Sequence, residues 1–293
     1  MARKRPGPKP HPNQSPASQR STASRPMRKP VSRTPSWVMP AAVIGGLAVV
    51  VVAFLIYRYY VTPPAPAPLK PDATQLLVTS ITSLPTSQLD AIGLGSANQR
   101  LQRVSGKALL GSTGKPEVFY LGAEYCPYCA AERWPLIIAL SRFGTFTGLK
   151  TTSSSSTDIY PNTPTFTFVG STFTSQYVDF RAVETSDRNQ NPLQSPTSAD
   201  QALVSAYDNG GSIPFVDFGN RYAFNGSTYL PDILAGLSWQ DVATALQQPD
   251  SSQSKAILGS ANLMTAAICK LTSDQPTAVC SSQAIQALEA KIG

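Results

Sequence analysis

Histidine is almost absent from this chain: there is one, His11, in 293 residues. A Cys–His nucleophile is therefore excluded from everything beyond the N-terminal tail, and a histidine-rich copper site is weakened with it. Acidic residues are missing from Met1–Ser36, which carry nine Lys or Arg among many Pro and Ser. Such a segment has little apolar surface to bury, so residues 1–36 are expected to be a disordered basic tail. Beyond Arg58 the balance reverses, with 14 basic against 17 acidic residues. The overall charge of +7 thus belongs to the tail and its flank. A nucleic-acid partner is not expected, and the tail reads as a topology signal. Internal repeats and coiled-coil heptads are also lacking.

Charge is missing altogether from Val38 to Tyr57, a run of 20 residues rich in Val, Ala, Leu and Ile. A helix of about 20 such residues spans a bilayer core of ~30 Å. Trp37 lies at one end and Tyr57, Tyr59 and Tyr60 at the other, as interfacial aromatics do. Residues 37–60 are therefore expected to anchor the chain in the cell membrane as a single pass. The basic tail would be cytoplasmic and the remainder extracytoplasmic. The run is longer than the core of a cleaved signal, and Pro68 after Ala65-Pro66-Ala67 makes a poor cleavage junction. Outside the membrane, disulfides persist.

Prolines 63, 64, 66, 68 and 71 then suggest a stiff spacer, and residues 61–104 read as spacer plus a short helical or turn-rich approach. From 105 to 293 the pattern is that of an α/β domain with a mixed sheet flanked by helices. A strand is expected at Glu117–Leu121 and a helix from Ala130, with Trp134, Ile137 and Ile138 on its apolar face and a kink at Pro135. Leu149–Ser153 reads as a second strand, followed by a β-rich insertion with strands at Thr165–Val169 and Gln176–Val183. A helix at Ala199–Tyr207 capped by Ser198 comes next, ending at Asn209-Gly210-Gly211. The hairpin Phe215–Phe218/Arg221–Phe224 and helices near 239–247, 252–270 and 281–291 complete the order. Phe166, Phe168, Phe173, Tyr177 and Phe180 read as sheet core, or in part as a peptide groove. Asn225-Gly226-Ser227 matches a glycosylation sequon, but a turn explains it.

Four cysteines remain to be placed. Cys126-Pro127-Tyr128-Cys129 stands where the strand meets the helix. Two thiols so spaced at a helix N-terminus can close into an easily reduced disulfide, and the helix terminus lowers the pKa of the first. Cys126 is then the nucleophile and Cys129 the resolving thiol. Glu132, one turn on, is either the acceptor of the resolving thiol's proton or a solvated carboxylate beside Arg133. Glu124 reads as a surface acid, and Asp217 as a residue on the solvent side of its hairpin. Cys269 and Cys280, across a short polar loop, are expected to form a structural disulfide, the alternative being a relay pair. A four-cysteine zinc site with one Cys-x-x-Cys arm is atypical, so neither metal nor cofactor is expected.

The Cys motif after a strand, with Ile213-Pro214 just before a β-hairpin, resembles the thioredoxin superfamily. That resemblance implies a cis proline at Pro214, with Ile213 and Pro214 helping to hold a substrate's extended backbone against the disulfide. The stretch from Tyr120 through Trp134 also resembles an uncharacterised prokaryotic family of membrane-anchored thioredoxin-like proteins, catalogued as a domain of unknown function. Pro127 and Tyr128 match the glutaredoxin dipeptide, and the 85-residue separation of Cys129 from Pro214 exceeds that of a minimal thioredoxin. The expected activity is thiol–disulfide exchange on exported proteins, oxidation favoured over reduction, with a further redox partner to reset the dithiol. A membrane-tethered binding or assembly module, or a reductant for cytochrome or metal-site maturation, are the alternatives.

Overall fold

The computed structural model of the protein describes residues 38–61, 65–98, 101–208 and 210–292. The expected basic tail, with His11 and Trp37, lies outside them, as do Asn209 and part of the proline spacer. The chain divides into two units, Met1–Phe54 and Leu55–Gly293. Helix α1 (Val38–Val61) is 24 residues long. Its described apolar side chains, among them Val43, Leu47 and Phe54, are exposed. Among the described residues no helix is long and apolar enough to cross a membrane; within α1 the side chains of residues 38, 39, 42 and 58–61 fall outside that set.

The second unit begins with two helices that belong to its core. α2 (Pro71–Thr82) opens on a proline whose fixed φ suits a first helical turn. It buries Leu77, Val78 and Ile81, while α3 (Thr86–Ile92) buries Leu89. The approach segment is helical and packs into the hydrophobic core of the domain.

A five-stranded sheet organises the rest. β1 (Gln102–Arg103), β2 (Glu117–Gly122), β7 (Asp179–Glu184), β8 (Phe215–Phe218) and β9 (Tyr222–Asn225) lie in the order β1-β9-β8-β2-β7. β2 and β7 run parallel, with Glu117 opposite Asp179 and Gly122 opposite Glu184. The pairs β2–β8, β8–β9 and β1–β9 are antiparallel. β2 is buried along its whole length, as a strand covered on both faces must be. Its alternate residues feed two separate clusters. Val118 and Tyr120 join the larger core, and Phe119 and Leu121 join a smaller one with Val183, Val204 and Phe215. Val204 comes from α5 (Ser198–Tyr207). The large core also holds α4 (Pro127–Ser141), α6 (Trp239–Leu246), α7 (Ser252–Leu271) and α9 (Gln283–Ile292).

Between α4 and β7 the chain makes two further ladders. β3 (Gly144–Thr147) pairs with β6 (Thr172–Ser175), and β4 (Lys150–Ser153) with β5 (Pro164–Thr167). This corrects two expectations. The strand after α4 does not enter the main sheet, and the end of the expected insertion does. Position is decided by pairing partners: β7 meets β2 some sixty residues upstream, which local pattern does not reveal. Two indole N–H groups fasten the insertion to the core. Trp134 donates to the carbonyl of Pro164 at 2.8 Å, and Trp239 to that of Thr165 at 2.7 Å. Phe166 and Phe168 are buried, and Phe173, Tyr177 and Phe180 are half-buried against the same core.

The cap of α5 is also corrected. Thr197, not Ser198, accepts from the Asp200 N–H, and Asp200 accepts from the Thr197 N–H in return, a reciprocal box that starts the helix one residue earlier.

Candidate functional site

Cys126 is the N-cap of α4, with Pro127 in the first turn. Its backbone is extended, and its Sγ accepts the N–H of Cys129 at 3.3 Å. A sulfur so placed occupies the position where a helix offers unpaired N–H groups and the positive end of its dipole. Cys126 and Cys129 are both free thiols; Cys126 is 6% exposed and Cys129 fully buried. Their affinities for a proton move apart. The Cys126 pKa is lowered, first by a hydrogen bond from the Cys129 thiol, then by the Cys129 N–H and the Arg133 guanidinium, against the cost of burial. The Cys129 pKa is pushed well up, first by burial and then by its hydrogen bond and proximity to Cys126.

The Cys126 Sγ lies 4.0 Å from the carbonyl oxygen of Ile213. The Ile213–Pro214 peptide bond is cis, and the Pro214 carbonyl accepts the Gly226 N–H at 2.8 Å. Fold and hairpin thus bring the two motifs together across 87 residues. The Tyr128 ring is half-buried and meets Tyr160 edge-on at 5.9 Å.

A run of serines stands beside this loop. Ser153, Ser154 and Ser155 are buried. The Ser155 N–H donates to the Tyr125 carbonyl at 2.8 Å, and the Ser154 hydroxyl donates to the Tyr160 carbonyl. Arg188 donates to the carbonyls of Ser153 and Ser154 and to Asn162 Oδ1, closing the clasp from the β7 side. Only short hydroxyls fit such a dense set of main-chain bonds.

Glu132 is not solvated. It is fully buried and accepts the Thr228 N–H at 2.7 Å and the Thr228 hydroxyl at 2.9 Å. The Thr228 hydroxyl, its proton on Glu132, also lies 2.7 Å from the Ser260 hydroxyl of α7 and can accept from it. Glu132 therefore ties α4 to the segment after β9. Glu124 is buried rather than a surface acid. Asp217 is likewise 1% exposed, not on a solvent face, and burial raises its pKa to about 7. Asn225 of the sequon donates its amide to Asp208, and the Ser227 hydroxyl is buried on the Tyr229 carbonyl. The sequon's polar atoms are thus used internally.

The residue that sequence reasoning overlooked is Arg133. It is fully buried, and its guanidinium grips Glu184 through Nε at 2.8 Å and Nη2 at 2.7 Å. Its Cζ lies 5.7 Å from the Tyr120 ring centre. Burial works most strongly against its charge, but Glu184 together with Tyr120 and Cys129 outweighs it and raises its pKa. Its trace in the sequence is slight: one arginine four residues after Cys129, next to Glu132 in a helix that is otherwise mostly apolar.

Cys269 and Cys280 form a disulfide, both sulfurs buried, joining the end of α7 to α8 (Thr277–Cys280). Among the described residues no group of three or more His, Cys, Asp or Glu could hold a metal ion.

No curated protein and no solved structure matches the chain. From β1 to near the end of α5, over residues 102–206, the chain matches a family described as a domain of unknown function (DUF929), a span that holds Cys126, Cys129, Arg133 and Glu184 but ends before Pro214.

Proposed function

We propose that the protein is a membrane-anchored thiol–disulfide oxidoreductase with a thioredoxin-like domain, acting on exported proteins through Cys126 and Cys129. The observation that carries this reading is the opposite displacement of two adjacent thiols at one helix N-terminus. The strand order β9-β8-β2-β7, with α4 leaving β2, supports the fold assignment. The cis Ile213–Pro214 bond beside Cys126 agrees with it. The uncharged run Val38–Tyr57 and the basic tail before it support the anchor and its orientation.

Exchange proceeds in two displacements. A substrate thiolate attacks Sγ of Cys126 in the enzyme's disulfide, and Cys129 leaves as the thiolate and takes up a proton. A second substrate thiolate then attacks the substrate sulfur of the mixed disulfide, and Cys126 leaves. Two electrons pass to the enzyme and the substrate gains a disulfide. A second disulfide carrier must then re-oxidise the dithiol. Oxidation is the favoured direction because a stabilised Cys126 thiolate favours the reduced form, which makes the disulfide a stronger oxidant.

The test is a trap. Cys129→Ser in the full chain should accumulate mixed disulfides through Cys126 with exported proteins, released by reductant and absent from Cys126→Ser/Cys129→Ser. No trapped species, together with a wild-type dithiol that never equilibrates with glutathione, would leave a tethered binding module as the better reading.

A further inference from the structure

Two polar groups behind the dithiol are buried without a hydrogen-bond partner: Nη1 of Arg133 and the hydroxyl of Tyr120. Both stand on the dithiol's side of the core. Tyr120 shares a face of β2 with Gly122, its hydroxyl resting where a side chain at 122 would be. Arg133 follows Cys129 by four residues on α4, and helical side chains slant toward the N-terminus. The guanidinium is thus carried up under the first turn, toward the sulfurs. Glu184 holds Nε and Nη2 from β7, which leaves Nη1 as the free donor of a fixed cation. Burying such a charge is costly, and replacing a buried pair by apolar residues is often neutral or stabilising. The pair is therefore poorly explained by stability alone.

Resting on the exchange reading above, we propose that Arg133 is the positioning residue of the dithiol: its guanidinium, fixed by Glu184, stabilises the thiolate of Cys126 in the reduced dithiol and that of Cys129 inside the mixed disulfide. The ionisable groups that face the two sulfurs are Tyr120 of β2, Tyr125 of the preceding loop and Arg133 itself. Glu184 pairs with Arg133, and Glu124 acts on Glu184 in turn. Arg133 is the cation among them, and it favours the thiolate at both cysteines. When Cys126 is bonded to substrate, its charge and its hydrogen bond no longer oppose ionisation of Cys129, while Arg133 stays. The cation thus serves whichever sulfur must be the anion next. The proton that leaves or joins Cys129 passes to or from water or the substrate thiolate, and the cation lowers the cost of the anionic sulfur.

The test uses the full-length protein with Arg133→Met/Glu184→Gln, which removes both charges together, and Glu184→Gln alone, which keeps the cation. The ultraviolet thiolate signal is followed against pH, with circular dichroism to establish folding. In the double variant the Cys126 titration should move upward and its reaction with iodoacetamide at neutral pH should slow by about tenfold. Glu184→Gln should leave the titration at or below the wild-type position. In a second arm Cys126 is capped by methyl methanethiosulfonate, giving Cys126–S–S–CH3 and methanesulfinate. Attack by Cys129 then closes the Cys126–Cys129 bond and expels methanethiol, and this release should slow by about tenfold in the double variant. A folded double variant with unchanged titration and release overturns the proposal, and so does an upward shift in Glu184→Gln if the double variant does not fold. None of these readouts needs a protein substrate. Failure of the exchange reading would show separately, as a wild-type dithiol inert to glutathione.

Discussion

The backbone N–H of Cys129 points at the sulfur of Cys126, 3.3 Å away, so the resolving residue helps to hold the charge of the attacking one. The two thiols are therefore not interchangeable. In the native reduced protein, iodoacetamide should label Cys126 at pH values below the ordinary thiol range, because its lowered pKa leaves more thiolate at any given pH. Cys129, buried and with its pKa raised, should stay unlabelled until the protein is unfolded. Peptide mapping of the adducts checks this. Equal labelling of both cysteines at neutral pH would contradict it.

Glu132 gives the second prediction. Because its carboxylate is spent on Thr228, Glu132→Gln should leave the pH profile of Cys126 alkylation where it is. Its effect should fall on stability, with a loss of about 1–3 kcal/mol in urea unfolding, since charge-assisted bonds inside the core are replaced by weaker ones. A shifted profile with unchanged stability would restore the proton-acceptor role.

Asp217 makes the fold sensitive to pH in a window well removed from that of most carboxylates. Its pKa rises from 3.8 to about 7, driven first by burial, with Glu117 adding to the rise and the Asn220 N–H opposing it. Below 3.8 the group is protonated whether the chain is folded or not. Between 3.8 and about 7 the unfolded chain ionises first, so stability falls as pH rises through that range and levels off above it. Asparagine keeps an oxygen for the Asn220 N–H, bound at 2.6 Å, and cannot ionise. Asp217→Asn should therefore match wild type near pH 4 and exceed it by roughly 2–4 kcal/mol at pH 8. Urea titrations at the two pH values decide the matter.

Gly122 and Tyr120 form a steric pair. A methyl group at 122 would meet the Tyr120 hydroxyl and the ring carbon that bears it. Gly122→Ala should cost about 1–3 kcal/mol, the range for overpacking. Tyr120→Phe removes a buried hydroxyl that has no partner, so it should change stability by less than about 1 kcal/mol, and it should soften the cost of Gly122→Ala in the double variant. A large loss from Tyr120→Phe alone would mean that the hydroxyl is satisfied.

What the sequence made legible here was local. The Cys motif announces itself by a strand before it and a helix after it, and the hairpin after Pro214 by its turn residues. The apolar faces of α4 and α7 follow from helical spacing. What stayed hidden depends on partners far along the chain. Arg133 meets Glu184 across 51 residues, and Thr228 meets Glu132 across 96. A charged residue is expected at the surface unless its partner is known, which is why Glu124 and Asp217 were placed in solvent and solvation was one of the two readings of Glu132. The membership of β7 in the main sheet was hidden for the same reason: its parallel register with β2 is a long-range fact. The serine clasp was hidden too, since its bonds run to Tyr125 and Arg188, some thirty residues away on either side.

One bond remains to be set against the proposed chemistry. A domain that trades disulfides is also a chain that carries one, and any exposed disulfide within reach of a reactive thiolate can be attacked. Cys269 and Cys280 are withdrawn from that traffic, at 0% and 1% exposure. Neither the protein's own Cys126 nor that of a neighbouring molecule can approach their sulfurs while the fold is intact. On the proposed chemistry, the slight exposure of Cys126 and its lowered pKa set the exchanging pair apart from Cys269 and Cys280, which the fold encloses.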